Sequence, residues 1–179
     1  MSTKNMLFSG FGGQGILFAG KFIAYKGLIE DQQVSWLPSY GPEMRGGTAS
    51  CSVIVSDTPV GSPIVSNPDI LVAMNLPSLD RFEDAVVPGG MIIADSTLIE
   101  RKVARDDVRV FYIPATRLAS DNKLGNLANM IIVGKLLKEI GEYSEQGLSA
   151  ALDKVISAKH ADMKDVNLAA IRLGAAYSE

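Results

Sequence analysis

Up to about residue 114 the apolar positions fall into short runs of strand length separated by stretches with helical spacing, and beyond that point helical spacing takes over. NMLFS, 5–9, is short, apolar and followed by glycine, which suits a buried first strand. ILFAGKFIAYKGLI, 16–29, repeats apolar side chains at helical spacing. Gly20 and Gly27 weaken that helix on propensity alone, so they imply close packing on a neighbour. QVSWL, 33–37, reads as a second strand ended by Pro38, which completes a β-α-β opening. TASCSVIVS, 48–56, alternates: Ala49, Cys51, Val53 and Val55 share one face, with Ser50, Ser52 and Ser56 largely opposite.

DTPVG, 57–61, reads as a hairpin connection whose return strand is SPIVS, 62–66. DILVAMN, 69–75, MIIAD, 91–95, and VRVFYI, 108–113, are further short apolar strands. A brief helix, SLDRFEDAV, lies between the first two and stops at Pro88-Gly89-Gly90. Residues 116–121 form a short helix or turn, and 125–140 a longer helix with Gly141 as its C′ residue. LSAALDKVISAK and DVNLAAIRLGAAYS supply the final helices. Strands with crossover helices followed by a helical tail predict a Rossmann-like α/β fold. Its open, mostly parallel sheet has helices on both faces, a β-hairpin insertion and a helical C-terminus, within a single domain over 1–179.

Composition narrows the chemistry. The 179 residues carry 17 basic and 20 acidic side chains with no block of one sign, so the basic stripe that phosphate-backbone binding needs is missing and no nucleic-acid partner is expected. Cys51 is the only cysteine and His160 the only histidine; neither a disulfide, a cluster held by cysteines, nor a zinc site of Cys and His alone can be built. No run reaches the length of a membrane span and the start lacks a signal-peptide pattern, so a cytoplasmic protein is expected. Cys51, on the more apolar face of its strand, is expected to be a buried, inert thiol.

GFGGQG, Gly10–Gly15, has dinucleotide spacing through Gly10, Gly12 and Gly15 and sits between a predicted strand and helix, where helix-start amides favour an anion. Gly13 and Gln14 complete the turn. The second strand, however, ends in Pro38, Ser39 and Tyr40 rather than in the acid that holds ribose hydroxyls, and Asp31 precedes it. NAD or FAD is therefore disfavoured, whereas coenzyme A would use a phosphate site without that acid. YGPEMRGG, 40–47, follows the second strand and should emerge on the same carboxyl edge. Arg45 offers a planar donor fork, Gly46 and Gly47 leave its approach open, Tyr40 adds a hydroxyl or stacking face, and Thr48 follows. Contact with a ligand and contact with another subunit both fit this loop. Asn126 and Asn129 share a face near a helix start, either as a cap and a buried backbone-bonded amide or as a reach toward a ligand. No nucleophile stands with a base; Asp69 and Asp95 can approach the crevice, yet nothing local makes them a catalytic pair.

GFGGQG, SYGPEMRGGTASCSVIVSD, PIVSNPDILVAMN, PGGMIIADS and IPAT with LGNLANMIIVG together resemble the gamma subunit or domain of the 2-oxoacid:ferredoxin oxidoreductases, over about 6–141. The free-standing gamma subunits of 2-oxoglutarate enzymes look most similar, although pyruvate and branched-chain oxoacid enzymes share the motifs. The resemblance implies a complex that oxidatively decarboxylates a 2-oxoacid, transfers the acyl group to coenzyme A and reduces ferredoxin. It implies alpha and beta partners, and a delta partner in some members, which hold thiamine diphosphate, magnesium and iron–sulfur clusters. This chain would bind no cofactor tightly and would be inactive alone; residues 12–15 and 40–48 would face the composite site and contact coenzyme A. A homodimer is an expected state of the isolated chain. A purely structural assembly role and an autonomous NAD- or FAD-dependent oxidoreductase are the rival readings.

Overall fold

The computed structural model describes residues 2–39 and 48–179. Six strands, β1 (Thr3–Phe11), β2 (Gln33–Ser39), β3 (Thr48–Ser56), β4 (Ile70–Ala73), β5 (Met91–Asp95) and β6 (Arg109–Ile113), form one sheet in the order β2-β3-β1-β4-β5-β6. β1, β4, β5 and β6 are mutually parallel along the sheet, while β3 pairs antiparallel with both β1 and β2. The helices are α1 (Ile16–Ile29), α2 (Leu76–Phe82), α3 (Ala115–Asp121), α4 (Ala128–Glu139), α5 (Glu145–Val155) and α6 (Met163–Ala176).

Strand alternation divides the core in two. Met6 and Phe8 of β1, Cys51, Val53 and Val55 of β3, Val72 of β4 and Ile93 of β5 face one way, into the larger cluster with α1 and α4–α6. Leu7, Leu71, Ala73, Ile92 and Ala94 face the other, onto Leu79 of α2, Val86 and Ile99. The expected α/β class with helices on both faces is therefore the observed one.

Two expectations fail on pairing. Residues 62–66 form no strand, because β3 has already given one edge to β1 and the other to β2 and has none left for a return strand. The hairpin-type antiparallel partner of β3 is instead β2. For the same reason the β-α-β opening is not between neighbours: β2 runs parallel to β1 but lies one strand away, with β3 between them. Pro38 sits inside β2, whose outer edge is unpaired, the place in a sheet where a residue lacking N–H is tolerated.

Glycines set the two closest helix contacts. A Cβ at Gly20 of α1 would lie 2.3 Å from the Cys51 sulfur, and one at Gly27 3.0 Å from Val34 and Val55, so α1 rides directly on β2 and β3. Between α4 and α6 the approach is backbone to backbone: a Cβ at Gly134 would lie 1.9 Å from the Ile171 carbonyl oxygen, and one at Gly174 1.7 Å from that of Ile131. Gly134→Ala or Gly174→Ala must therefore separate two helices, and each should lower unfolding free energy by about 3 kcal/mol or more in urea titrations. Gly20→Ala meets side chains rather than backbone, the Cys51 thiol at 2.3 Å first and then Val53 and Trp36 at 3.1 and 3.3 Å, and should lose about 1–2 kcal/mol, partly recovered when Cys51→Ala is added. Equal losses at all three positions would contradict the distinction.

Candidate functional site

The carboxyl ends of β1, β4, β5 and β6 share one edge of the sheet. The chain after β1 turns into α1 on one face, and the chain after β4 turns into α2 on the other, so a crevice opens between them. The glycine turn occupies this point. Gly13 (φ 91°) and Gly15 (φ 74°) both adopt left-handed backbone, which a side chain would resist. At Gly10 a Cβ would fall 2.6 Å from Oε1 of Gln14. Gln14 needs that space because its amide staples the crevice: Oε1 accepts from Phe11 N at 2.6 Å, and Nε2 donates to the Met74 carbonyl at 3.2 Å. Gln14 was read from the sequence as a ligand contact; both ends of its amide are engaged within the chain.

Gly15 is also the N-cap of α1, with no side-chain cap and no acidic residue in the first turn. The helix start therefore presents bare amides and the positive end of its dipole. Asn129 holds this corner from α4, its Nδ2 donating to the Gly15 carbonyl at 3.0 Å, so it is the buried backbone-bonded amide of the two alternatives. Asn126 precedes α4, is exposed, and stands beside Gly13 on the walls of two adjoining cavities.

The first cavity, about 210 Å³, lies among Gly13, Gln14, Met74, Thr116 and Asn126 in the crevice itself. The second, about 390 Å³, runs behind the turn, where Phe18, Leu127, Ile156 and Met163 make apolar walls. His160 and Asn167 also line it. The sequence reading missed this contribution of the helical tail. Its one clue is Asn167, a polar residue on the inner side of an amphipathic helix; the Oδ1 atoms of Asn129 and Asn167 are both buried without a partner among the described residues.

Tyr40, Arg45, Gly46 and Gly47 lie outside the described residues. The flanks of that segment are described: Ser39 ends β2, and Thr48 stands opposite Phe11 at the start of β3. Both therefore sit on the edge that carries Gly12–Gly15. The position next to β1 is filled by the antiparallel β3, so the end of β2, already lacking an acid, is also displaced by a strand from where a dinucleotide ribose would need it.

The two carboxylates considered from sequence have structural work. Asp95, fully buried at the end of β5, accepts from Thr97 N, Thr116 N and the Thr116 hydroxyl at 3.0, 3.1 and 2.6 Å. Asp69 is at the opposite edge, accepting from the backbone and side-chain amides of Asn5. Among the described residues no three His, Cys, Asp or Glu side chains gather as a metal-binding group, and no helix is long and apolar enough to cross a membrane.

The profile of the pyruvate ferredoxin/flavodoxin oxidoreductases matches residues 5–177. The chain belongs to that family. Its match extends through the helical tail that the sequence motifs left unassigned. Ketoisovalerate oxidoreductase subunit VorA of Methanothermobacter thermautotrophicus is 38% identical over 171 residues, covering 95% of this chain but 35% of its own. The chain thus spans about a third of the length of that relative. 2-Oxoglutarate synthase subunit KorC of Methanocaldococcus jannaschii is 36% identical over 152 residues, 83% of this chain and 81% of its own. Among solved structures, a keto/oxoacid ferredoxin oxidoreductase gamma subunit from Geobacter sulfurreducens superposes with a TM-score of 0.78 at 26% identity, over 96% of this chain and 95% of that one. A 2-oxoglutarate:ferredoxin oxidoreductase from Magnetococcus marinus, solved with 2-oxoglutarate, coenzyme A and succinyl-CoA, superposes at 0.86 and 25% identity, over 98% of this chain and 31% of that one. The chain is a gamma-type member of the family.

Cys51, 1% exposed beneath α1, has its thiol pushed up to about 12, chiefly by burial, with hydrogen bonding from Trp36 and Gly20 pulling weakly the other way. At pH 8 the nucleophilic thiolate is therefore almost unpopulated. Folded protein should resist an aromatic disulfide reagent at that pH and react with one equivalent in denaturant. Rapid labelling of the native protein would show that α1 lifts from the sheet.

Proposed function

We propose that this chain is the gamma component of a complex that oxidatively decarboxylates 2-oxoglutarate, transfers the succinyl group to coenzyme A and reduces ferredoxin, and that it forms part of the coenzyme A cleft. The observation that carries the reading is the uncapped start of α1 behind the glycine turn, at the crevice between β1 and β4, with both flanks of residues 40–47 arriving on the same edge. Bare helix-start amides suit a phosphate group. Asn126 can add a polar contact from the opposite wall, and Arg45, on sequence grounds, a charged one.

In this reading thiamine diphosphate, magnesium and iron–sulfur clusters belong to alpha and beta partners, with a delta partner in some arrangements, and supply carbanion stabilisation and the electron path. This chain supplies position and charge. The preference for 2-oxoglutarate is supported by the KorC relative, whose length this chain nearly matches, and by the ligands of the Magnetococcus marinus enzyme. A dinucleotide role has less support, because β3 separates β2 from β1.

In the reconstituted complex, Arg45→Ala should raise the KM for coenzyme A roughly tenfold or more, the loss of one charge-assisted hydrogen bond. Asn126→Ala should raise it about threefold, the loss of a neutral one. The oxoacid KM and the subunit composition should not change. Unchanged coenzyme A values with assembly intact would leave the chain a packing component only. Comparing kcat/KM for 2-oxoglutarate, pyruvate and 2-oxoisovalerate tests the substrate, and a preference other than 2-oxoglutarate removes that part of the reading.

A further inference from the structure

We infer that the larger cavity behind the glycine turn is a binding site for a small uncharged molecule, an apolar body bearing a carboxamide, and that the side-chain oxygens of Asn129 and Asn167 accept its hydrogen bonds. The site is separate from the coenzyme A cleft proposed above and does not depend on it.

The cavity measures about 390 Å³, within the range of about 300–1,000 Å³ that small-molecule sites occupy. Its walls come from the start of α1, the start of α4 and the connection from α5 into α6. Phe18, Leu127, Ile156 and Met163 make it largely apolar, and no Asp, Glu, Lys or Arg stands among its described lining residues.

Two buried polar side chains line this apolar space. Asn129 is 4% exposed and Asn167 3%. Each commits its nitrogen within the chain: Asn129 Nδ2 donates to the Gly15 carbonyl at 3.0 Å, and Asn167 Nδ2 to the Met163 carbonyl, one turn earlier in α6, at 2.8 Å. Those bonds fix which way each amide faces, and they leave Oδ1 of both residues buried without a partner among the described residues. An unpaired buried acceptor is destabilising, and an aliphatic side chain at position 167 would avoid that cost. Two such acceptors on the walls of one apolar cavity are accounted for by a ligand that donates to them.

The surroundings set the ligand's charge. A phosphate or carboxylate would meet two carbonyl oxygens and no cationic side chain in the described lining. An ammonium would meet the uncapped start of α1 at Gly15, whose free amides and dipole repel a cation, and would find no carboxylate to pair with. An uncharged carboxamide satisfies both conditions. Its N–H groups suit the two acceptors, its own oxygen can accept from the exposed His160 at the cavity's margin, and its body packs on Phe18 and Met163.

The test titrates the nitrogen-15-labelled full-length chain with three molecules of one shape: benzamide, acetophenone, in which a methyl group replaces the NH2 group, and benzoate. Benzamide should shift the backbone signals of Gly13 and Gly15 and the side-chain signals of Asn129 and Asn167, saturating at the millimolar concentrations that so small a ligand needs. Acetophenone should bind at least about tenfold more weakly, because it leaves both oxygens unpaired, and benzoate should not bind. Asn167→Leu should weaken benzamide at least about tenfold while leaving the Tm of the ligand-free chain unchanged or higher, a combination that a purely structural asparagine would not give. If that variant does not fold, the wild-type series decides alone. Excess coenzyme A should leave the benzamide shifts in place. Absence of a saturable shift at these four residues overturns the proposal, and so does equal binding of acetophenone, which would make the cavity an unselective apolar hollow. Displacement of benzamide by coenzyme A would assign the cavity to the cleft and overturn the separate site.

Discussion

The position of β3 governs this structure. Because it runs antiparallel between β1 and β2, its first residue, Thr48, comes to rest opposite Phe11 at the end of β1, and both flanks of the 40–47 segment are delivered to the glycine turn. The same insertion moves β2 away from β1, which removes the strand-end position a dinucleotide ribose would use. It also requires α1 to lie across a strand bearing Cys51, Val53 and Val55, and Gly20 and Gly27 are the residues that let it approach. A shared geometry thus puts Ser39 and Thr48 on the edge that carries the glycine turn and turns the site away from nicotinamide binding.

How much of this was legible in the sequence follows from which interactions are local. The alternation of 48–56 and the helical spacing of 16–29 mark β3 and α1 at their observed limits, because side-chain periodicity is written along the chain. Pairing is not written there. SPIVS has acceptable strand composition, but both edges of β3, on which a return strand would pair, were already occupied by β2 and β1, and no local pattern reports that. Gly20 and Gly27 announced a close contact because they interrupt an apolar helix. Gly134 and Gly174 serve an even closer one and could not be matched to each other from sequence, since the crossing of α4 and α6 is a property of the packed tail.

At the candidate site the sequence identified residue types better than it identified their tasks. Gly10, Gly12 and Gly15 were marked for a dinucleotide-type turn; Gly10 and Gly15 also make room for Gln14 and Asn129, whose amides hold the turn to the chain after β4 and to α4. A residue that secures the backbone and a residue that meets a ligand look alike in a motif, because both need a small, polar, well-placed neighbour. The larger cavity behind the turn was invisible for a different reason. Its walls come from α1, the start of α4 and the connection between α5 and α6, more than a hundred residues apart, and it exists only once the tail folds back.

Among the described residues, the ionisable groups near the crevice are already engaged. Asp95, the carboxylate at the end of β5 on the crevice edge, has its oxygens filled by Thr97 and Thr116. Withdrawing it to act as a base would leave buried donors unpaired, at a cost of about 1–3 kcal/mol each. Lys26 and Lys135, both buried, are paired along their own helices with Glu30 and Glu139, and Glu83 is taken by Arg101. The described lining of the crevice is instead amides, a hydroxyl, apolar side chains and glycine, groups that can position a ligand and exclude water. A surface of that chemistry becomes useful when a second surface brings reactive groups to it.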